Sequence, residues 1–456
     1  MSFDYTVDVA VVGGGACGLM AALRTARAPG VTVAVFEKST RDGCNTQISS
    51  GSLAAGGTRF QRAAGIEDSP ERHAADILAA SGDAEAAPLV HAVCAAAPQY
   101  VEWLADELGH PLELGLDMAR AGQSVPRLHA DRGRAGGALL IRTMRKAVEN
   151  ASNIAFLDNT PGEGLIAEGG AVTGVVVREN GRSVRVGARA VVLAADGFAG
   201  NAAMVAAHCP DAADAFYGGV STSTGDAIGW GVALGARTRN MSGYLGHGMV
   251  VVGHGTRLNP VLPFLGALLV GTDGRRFADE RAQGYSKLGR LIAARPDHRA
   301  VLIWDERMHA LAMRSELMRE SDAAGAFRRY PSAEALAVDL ALPLDALSAT
   351  LTAFHAVSRE PGAAQDAPDA DTDHGPLKPP LYAARITSGI LTTQGGLETD
   401  PTGRVLHTSG APIPGLYAGG GSASGISGPT SDGYMSGNGL LAALGLAWQI
   451  ATHLTP

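Results

Sequence analysis

The chain has 456 residues, of which 46% are hydrophobic and 18% charged, with a formal net charge of −8. That length exceeds one typical domain, so two domains, or one domain with a large insertion, are expected. The acidic balance gives no sign of nucleic-acid binding, which needs a basic face, and 60 glycines without a collagen period mark many places where backbone must pass close to something.

The first residues, MSFDYTVDVAVVGGG, have no basic region and run straight into a strand, so no signal peptide is visible. The longest apolar runs, NPVLPFLGALLVG and GLLAALGLAWQIATHL, are too short or too interrupted for a membrane span. Cys17, Cys44, Cys94 and Cys209 show neither metal spacing nor a haem-attachment pattern. A soluble cytoplasmic protein with reduced thiols, no membrane span and no nucleic-acid partner is expected. No internal repeat is visible.

Residues 7–19, VDVAVVGGGACGL, form a β-branched run followed by Gly13-x-Gly15-x-x-Gly18. A helical stretch, LMAALRTARA, comes next, and then a second strand, VTVAVFEK, which ends in Glu37 and Lys38. In this order one glycine makes the turn, one lets a pyrophosphate approach and one packs helix on strand. The helix start at Ala16 and Cys17 offers unpaired N–H groups to phosphate, and Glu37 can accept from a ribose hydroxyl. A dinucleotide site is expected here.

The loop RDGCNTQISSGSLAAGGT (41–58) is rich in small residues and too long for a simple helix-to-strand link. It resembles the loop that wraps the pyrophosphate and flavin of FAD in the flavoprotein subunits of fumarate reductase and succinate dehydrogenase. Three later segments resemble the same family. VVLAADGFAGN (191–201) is similar to its second strand-and-turn motif, usually written ATGGF. STGDAIGWGVALGA (223–236) is similar to its TGD helix, and GGLETDPTGRVLHTSGAPIPGLYAGGGSASG (395–425) to its closing segment. The resemblance implies an α/β fold: a Rossmann-like FAD-binding domain with an inserted α+β capping domain. The implied boundaries are 1–240 and 391–456 for the FAD domain and 241–390 for the insert.

FAD rather than NAD follows from the resemblance. It assigns to the cofactor, besides the glycine turn, Asn45, Thr46, Ser50 and Gly51 of the wrapping loop, Gly162, and Ala194, Ala195, Asp196 and Asn201 of the second motif. Asp226, Gly420, Gly421, Asn438, Gly439 and Leu440 complete that set. Members with covalent flavin carry a histidine where this chain has Asn45, so non-covalent FAD is expected. The family often places glutamate, in contact with the flavin's ribityl chain, where this chain has Gly421. The polar return SREPGAAQDAPDADTDHGPLKPP reads as a solvated linker.

Three basic positions that serve fumarate in the family are lost. The arginine expected four residues after Glu280, in GRRFADE, is Gly284; the arginine of the NRLGGNA loop is Tyr434, in GYMSGNG; and a histidine is Thr392, in LTTQGG. A dianion would be poorly served, since bidentate arginine is the best carboxylate ligand. A tyrosine at the place of Tyr434 resembles the 3-ketosteroid Δ1-dehydrogenase branch. That resemblance implies that the Tyr434 phenol, with a backbone N–H near Gly437 and Asn438, hydrogen-bonds a substrate ketone. Tyr285, one residue beyond the family spacing, is the implied base for the α-proton, with the β-hydrogen passing to FAD as hydride. His247, in GYLGHGM, lies where fumarate reductases keep a substrate-binding histidine, whereas His129 and the Arg275–Arg276 pair read as packing and surface-turn residues.

The expected function is an FAD-dependent dehydrogenase that desaturates a small-molecule ketone, cyclic or 3-ketosteroid-like, and passes electrons to an unidentified acceptor. One alternative is a fumarate-reductase-like enzyme acting on an unsaturated carboxylate. Another is a flavin-holding electron-transfer protein without its own substrate.

Overall fold

The carboxyl ends of the parallel strands line up in one row. Tyr5–Val12 (β1), Val33–Phe36 (β2), Ile154–Leu157 (β3), Arg182–Leu193 (β4) and Pro412–Ala418 (β5) lie side by side in the order β5-β4-β1-β2-β3. The register pairs Val12 with both Phe36 and Leu193, Phe36 with Leu157, and Leu193 with Ala418. The strands are near-continuous runs of valine, alanine and leucine because both faces are covered, as in parallel sheets generally. In such sheets ligands bind beyond the carboxyl ends.

The computed structural model describes residues 2–116, 122–131, 135–280, 284–357 and 375–455. Most of the polar return read as a linker, 358–374, lies outside them. The chain divides into two compact units. The first comprises Met1–Cys209, Gly219–Leu245 and Thr392–Pro456; the second comprises Pro210–Gly218 and Gly246–Leu391. The sequence reading put 210–218 with the first part of the chain. The strand Phe216–Tyr217 instead pairs in parallel with Gly389 and Ile390, which takes the segment into the second unit.

In the first unit the helix Ala16–Thr25 (α1) buries nearly every residue, and it packs against the last helix, Asn438–Leu454 (α2). Leu19, Met20, Leu444 and Ile450 are fully buried, each worth roughly 1.5–3 kcal/mol of burial. A long helix, Ala87–Asp106, packs on α2, and there Gly445 admits the Val93 side chain: a Cβ at Gly445 would stand 2.7 Å from the Val93 Cβ.

The second unit is a mixed sheet with helices, an α+β arrangement. Its spine is the strand Leu381–Thr393, which pairs antiparallel with Arg299–Asp305 and Arg328–Tyr330. Trp304, fully buried, stacks on Tyr382, whose ring also lies 3.9 Å from that of His309. In the GRRFADE turn Arg276 Nη2 donates to the buried Glu280 at 2.6 Å, and Glu280 accepts the Leu269 N–H at 2.8 Å. Among the described residues no helix is long and apolar enough to cross a membrane.

A polar pocket is sealed inside the first unit. Arg127, fully buried, donates to Asp68 through Nε at 2.7 Å and to Asp76 through Nη1 at 2.5 Å. His73 has neither ring nitrogen hydrogen-bonded and no exposure. Burial, with the nearby Arg127 charge, pushes its pKa down to about 3, against an ordinary 6.5. The unfolded chain therefore binds this proton more readily, so the stability His73 contributes is full above pH 6.5 and falls as pH drops toward 3, by about 1.4 kcal/mol per pH unit. The melting temperature is expected to fall through that window, and less steeply in a His73→Leu variant; an unchanged slope would assign the acid sensitivity elsewhere.

Candidate active site

The glycine turn after β1 is dictated by backbone contacts. Gly13 has φ +109, and a Cβ there would stand 2.2 Å from the Ala194 carbonyl oxygen. A Cβ on Gly18 would fall 1.9 Å from the Gly13 carbonyl oxygen. Only glycine allows both approaches. Helix α1 then starts at Gly15 with no side-chain cap, so its first N–H groups and its dipole face outward. The Glu37 carboxylate accepts the N–H groups of Gly14 at 2.6 Å and Ser39 at 2.9 Å, fixed beside the turn.

A cavity opens in the first unit off this turn. Gly13, Gly15, Ala16 and Cys17 line one part of it, with Glu37 and Lys38 beyond. Lys38 Nζ donates to Asp226 at 2.8 Å and Thr224 at 3.0 Å. Another part is lined by Gly439 and Leu440 of α2, whose N-cap Gly437 (φ +92) again lacks a side-chain cap. Two uncapped helix starts therefore open on the same cavity.

Asn45, Thr46, Gly162, Ala194, Ala195 and Asp196 also line the wall, as do Gly420 and Gly421. Asn45 Nδ2 donates to Asp196 at 2.5 Å, and its Oδ1 accepts the Val220 N–H at 3.1 Å. Both ends of that amide are thus occupied. Five residues expected at the cofactor do not line the cavity. Gly18 is spent on the helix–strand contact. Ser50 donates to Ser52, and Gly51 abuts the Gly136–Gly137 backbone. Asn201 caps the helix Ala202–His208 and donates to the Thr224 carbonyl. Asn438 is buried, its Nδ2 donating to Ser427 and its N–H to the Met435 carbonyl.

That last bond corrects one expectation: the Asn438 N–H is not open to a substrate ketone. Gly437 does not line the cavity either, because it lies against Ala54 and Leu128. Tyr434 does line it. It is half-buried after the short turn Ser431–Gly433, and its hydroxyl lies 3.3 Å from where a Cβ on Gly439 would stand. The phenol oxygen therefore sits at the start of α2. His129, with no exposure, is bonded to Thr58 at 2.8 Å and Leu53 at 3.2 Å and serves packing.

Tyr285 and His247 belong to the second unit. Tyr285 is the first residue of the helix Tyr285–Ala293, capped by Gly284, and its ring lies 5.5 Å from that of His247. The two segments approach closely because Gly248 and Gly289 face each other, and Ser286 Oγ accepts the Gly246 N–H at 2.9 Å. His247 is buried, and its Nδ1 accepts the Met249 N–H at 3.3 Å. Burial, with the charge of Arg257, pushes its pKa down to about 3, so it is a neutral donor through Nε2. Arg257 makes no salt bridge among the described residues, and its charge acts on Tyr285 as well.

Sequence reasoning passed over Cys44, Trp230, Thr393 and Gln394, all on the cavity wall. Cys44 and Trp230 lie inside segments already singled out, but their residue types carried no cofactor signal. Thr393 bridges segments: its Oγ1 accepts the Phe198 N–H at 3.1 Å. Arg257 was missed because no motif surrounds it.

Residues 8–440 match the family model described as FAD binding domain. Over 431 residues, 92% of this chain, the sequence is 32% identical to NADH:fumarate oxidoreductase of Klebsiella pneumoniae (strain 342), though it spans only 45% of that protein's length. It is 27% identical to 4-oxocyclohexanecarboxylate 2-dehydrogenase of Sinomonas cyclohexanicum, across 91% of this chain and 87% of that one. The structure of 3-ketosteroid-Δ4-(5α)-dehydrogenase from Rhodococcus jostii RHA1, in complex with 4-androstene-3,17-dione, is similar with a TM-score of 0.80 and 25% identity, covering 100% of this chain and 98% of that one. The cavity fits FAD on its own features: an uncapped helix start for pyrophosphate, a fixed carboxylate beside it, and a second helix start for an electron-rich ring edge.

Alanine at Gly13 would bring both the clash with Ala194 and on the order of 1–3 kcal/mol of backbone strain. A Gly13→Ala protein is expected to purify without bound flavin and to melt lower than the parent; retention of stoichiometric FAD would show that the turn does not set cofactor binding.

Proposed function

The chain belongs to the FAD-binding domain family, and we propose that this FAD-dependent oxidoreductase desaturates a ketone, forming a carbon–carbon double bond α,β to the carbonyl. The observation that carries the reading is Tyr434, a phenol on the wall of the dinucleotide cavity beside the start of α2. Among the described residues lining that cavity Lys38 is the single cation, with no arginine or histidine. The substrates named for the Sinomonas and Rhodococcus relatives, an oxocyclohexane acid and a steroid ketone, agree with the ketone reading.

In this reading the Tyr434 hydroxyl donates to the ketone oxygen. The donor strengthens as negative charge builds there during removal of the α-proton. Tyr285 receives that proton. A phenol is a weak base near neutrality, and the Arg257 cation supplies the opposite charge that favours its ionised form. His247, neutral, orients substrate as a donor. FAD supplies the acceptor for the β-hydrogen as hydride, and in reverse the donor for enone reduction. Reoxidation requires an electron acceptor outside this chain. A second reading, reduction of an unsaturated carboxylate, is favoured by one observation: the Arg257 charge lies close enough to His247 to act on it. The name of the Klebsiella relative points the same way.

Anaerobic mixing with saturated cyclic ketones, 3-ketosteroids and succinate separates these readings by loss of flavin absorbance. Bleaching by a ketone and not by succinate is expected. Tyr434→Phe is expected to lower the bleaching rate roughly 10²-fold or more while the flavin spectrum stays unchanged; full activity would remove Tyr434 from the mechanism. In Arg257→Met the rising limb of the pH–rate profile should move to higher pH, and an unshifted limb would separate Arg257 from the base.

A further inference from the structure

We propose that Asp196 is a hydroxyl-binding carboxylate for FAD. This rests on the cofactor and not on the ketone reading, so either can fail without the other.

Asp196 stands at φ +66, a left-handed conformation that aspartate tolerates better than most residues. Its Oδ2 accepts from Asn45 Nδ2 at 2.5 Å and its Oδ1 from the Gly197 N–H at 2.8 Å. Its backbone is held as well: Ser422 Oγ donates to the Asp196 carbonyl at 3.1 Å and accepts the Ala195 N–H at 3.0 Å. The side chain is thus fixed from two sides and directed along the cavity wall, which it lines with Asn45, Ala195 and Gly421. Burial raises its pKa while the donors around it oppose that rise. An ionised carboxylate accepts about four hydrogen bonds. Asn45, Gly197 and Ser223 supply three, which leaves capacity for one donor inside the cavity, and the sugar-alcohol hydroxyls of FAD are donors.

A Cβ built on Gly421 would fall 2.4 Å from the Gly197 nitrogen and 2.6 Å from Asp196 Oδ1. The nearer obstacle is backbone, so position 421 carries no side chain of its own and leaves this part of the wall to Asp196.

The test reads FAD affinity, by titrating apoprotein and following flavin fluorescence. Asp196→Gly removes the acceptor at a φ that glycine accepts, and is expected to weaken FAD about tenfold to a hundredfold, the range for a hydrogen bond to a charged group. Parent-like affinity in Asp196→Gly would overturn the carboxylate role. If Asp196→Gly lowers the melting temperature of the apoprotein, Asp196→Asn decides: it keeps shape and backbone tolerance, a loss of about tenfold supports the role, and unchanged affinity overturns it.

Discussion

The contact of backbone on backbone at Gly13 is the constraint from which the cofactor site follows. Parallel strands β1 and β4 run in register to Val12 and Leu193, and their continuations meet where Gly13 passes the Ala194 carbonyl. A side chain at that point would push the strand ends apart. With none, the chain turns at once into α1, Gly18 docks against the Gly13 carbonyl, and the helix dipole is aimed over the sheet edge. The second motif, Ala194–Phe198, lies against the same turn, so the FAD cavity is formed where two strand ends converge.

In the proposed reading the wall chemistry departs from carboxylate recognition. A guanidinium is permanently charged and planar, and holds a carboxylate in two hydrogen bonds. The phenol of Tyr434 is a single neutral donor, suited to an oxygen that gains charge only during reaction. In the second unit the Arg257 charge acts on a buried histidine and on Tyr285, and the Glu320 carboxylate acts on Arg257 in turn.

The strand–glycine–helix–strand–acid order around Gly13 and Glu37 was legible because its spacing follows from local geometry. The cavity residues of the later motifs were legible by resemblance. The functions of Ser50, Asn201 and Asn438 were not, since whether a small polar side chain faces a ligand or caps a neighbouring turn depends on a few ångströms of tertiary placement. The extent of the second unit was missed for a similar reason: Phe216–Tyr217 is a two-residue strand, and its partner Gly389–Ile390 is far along the chain.

The first unit is built from three separated stretches of chain, and the last of them, Thr392–Pro456, brings β5, Tyr434 and helix α2. Strand β5 pairs with β4, and α2 packs on α1, so early and late residues share one core. On a ribosome adding roughly 5–20 residues per second, the glycine turn therefore emerges tens of seconds before the helix start that completes the cavity. FAD cannot be fully enclosed before Thr392–Pro456 has been made. The insert has the opposite property: Gly246–Leu391 is one continuous stretch, joined only by the short Pro210–Gly218 segment made before it. Vectorial synthesis thus favours completion of the second unit before the cofactor cavity of the first can close.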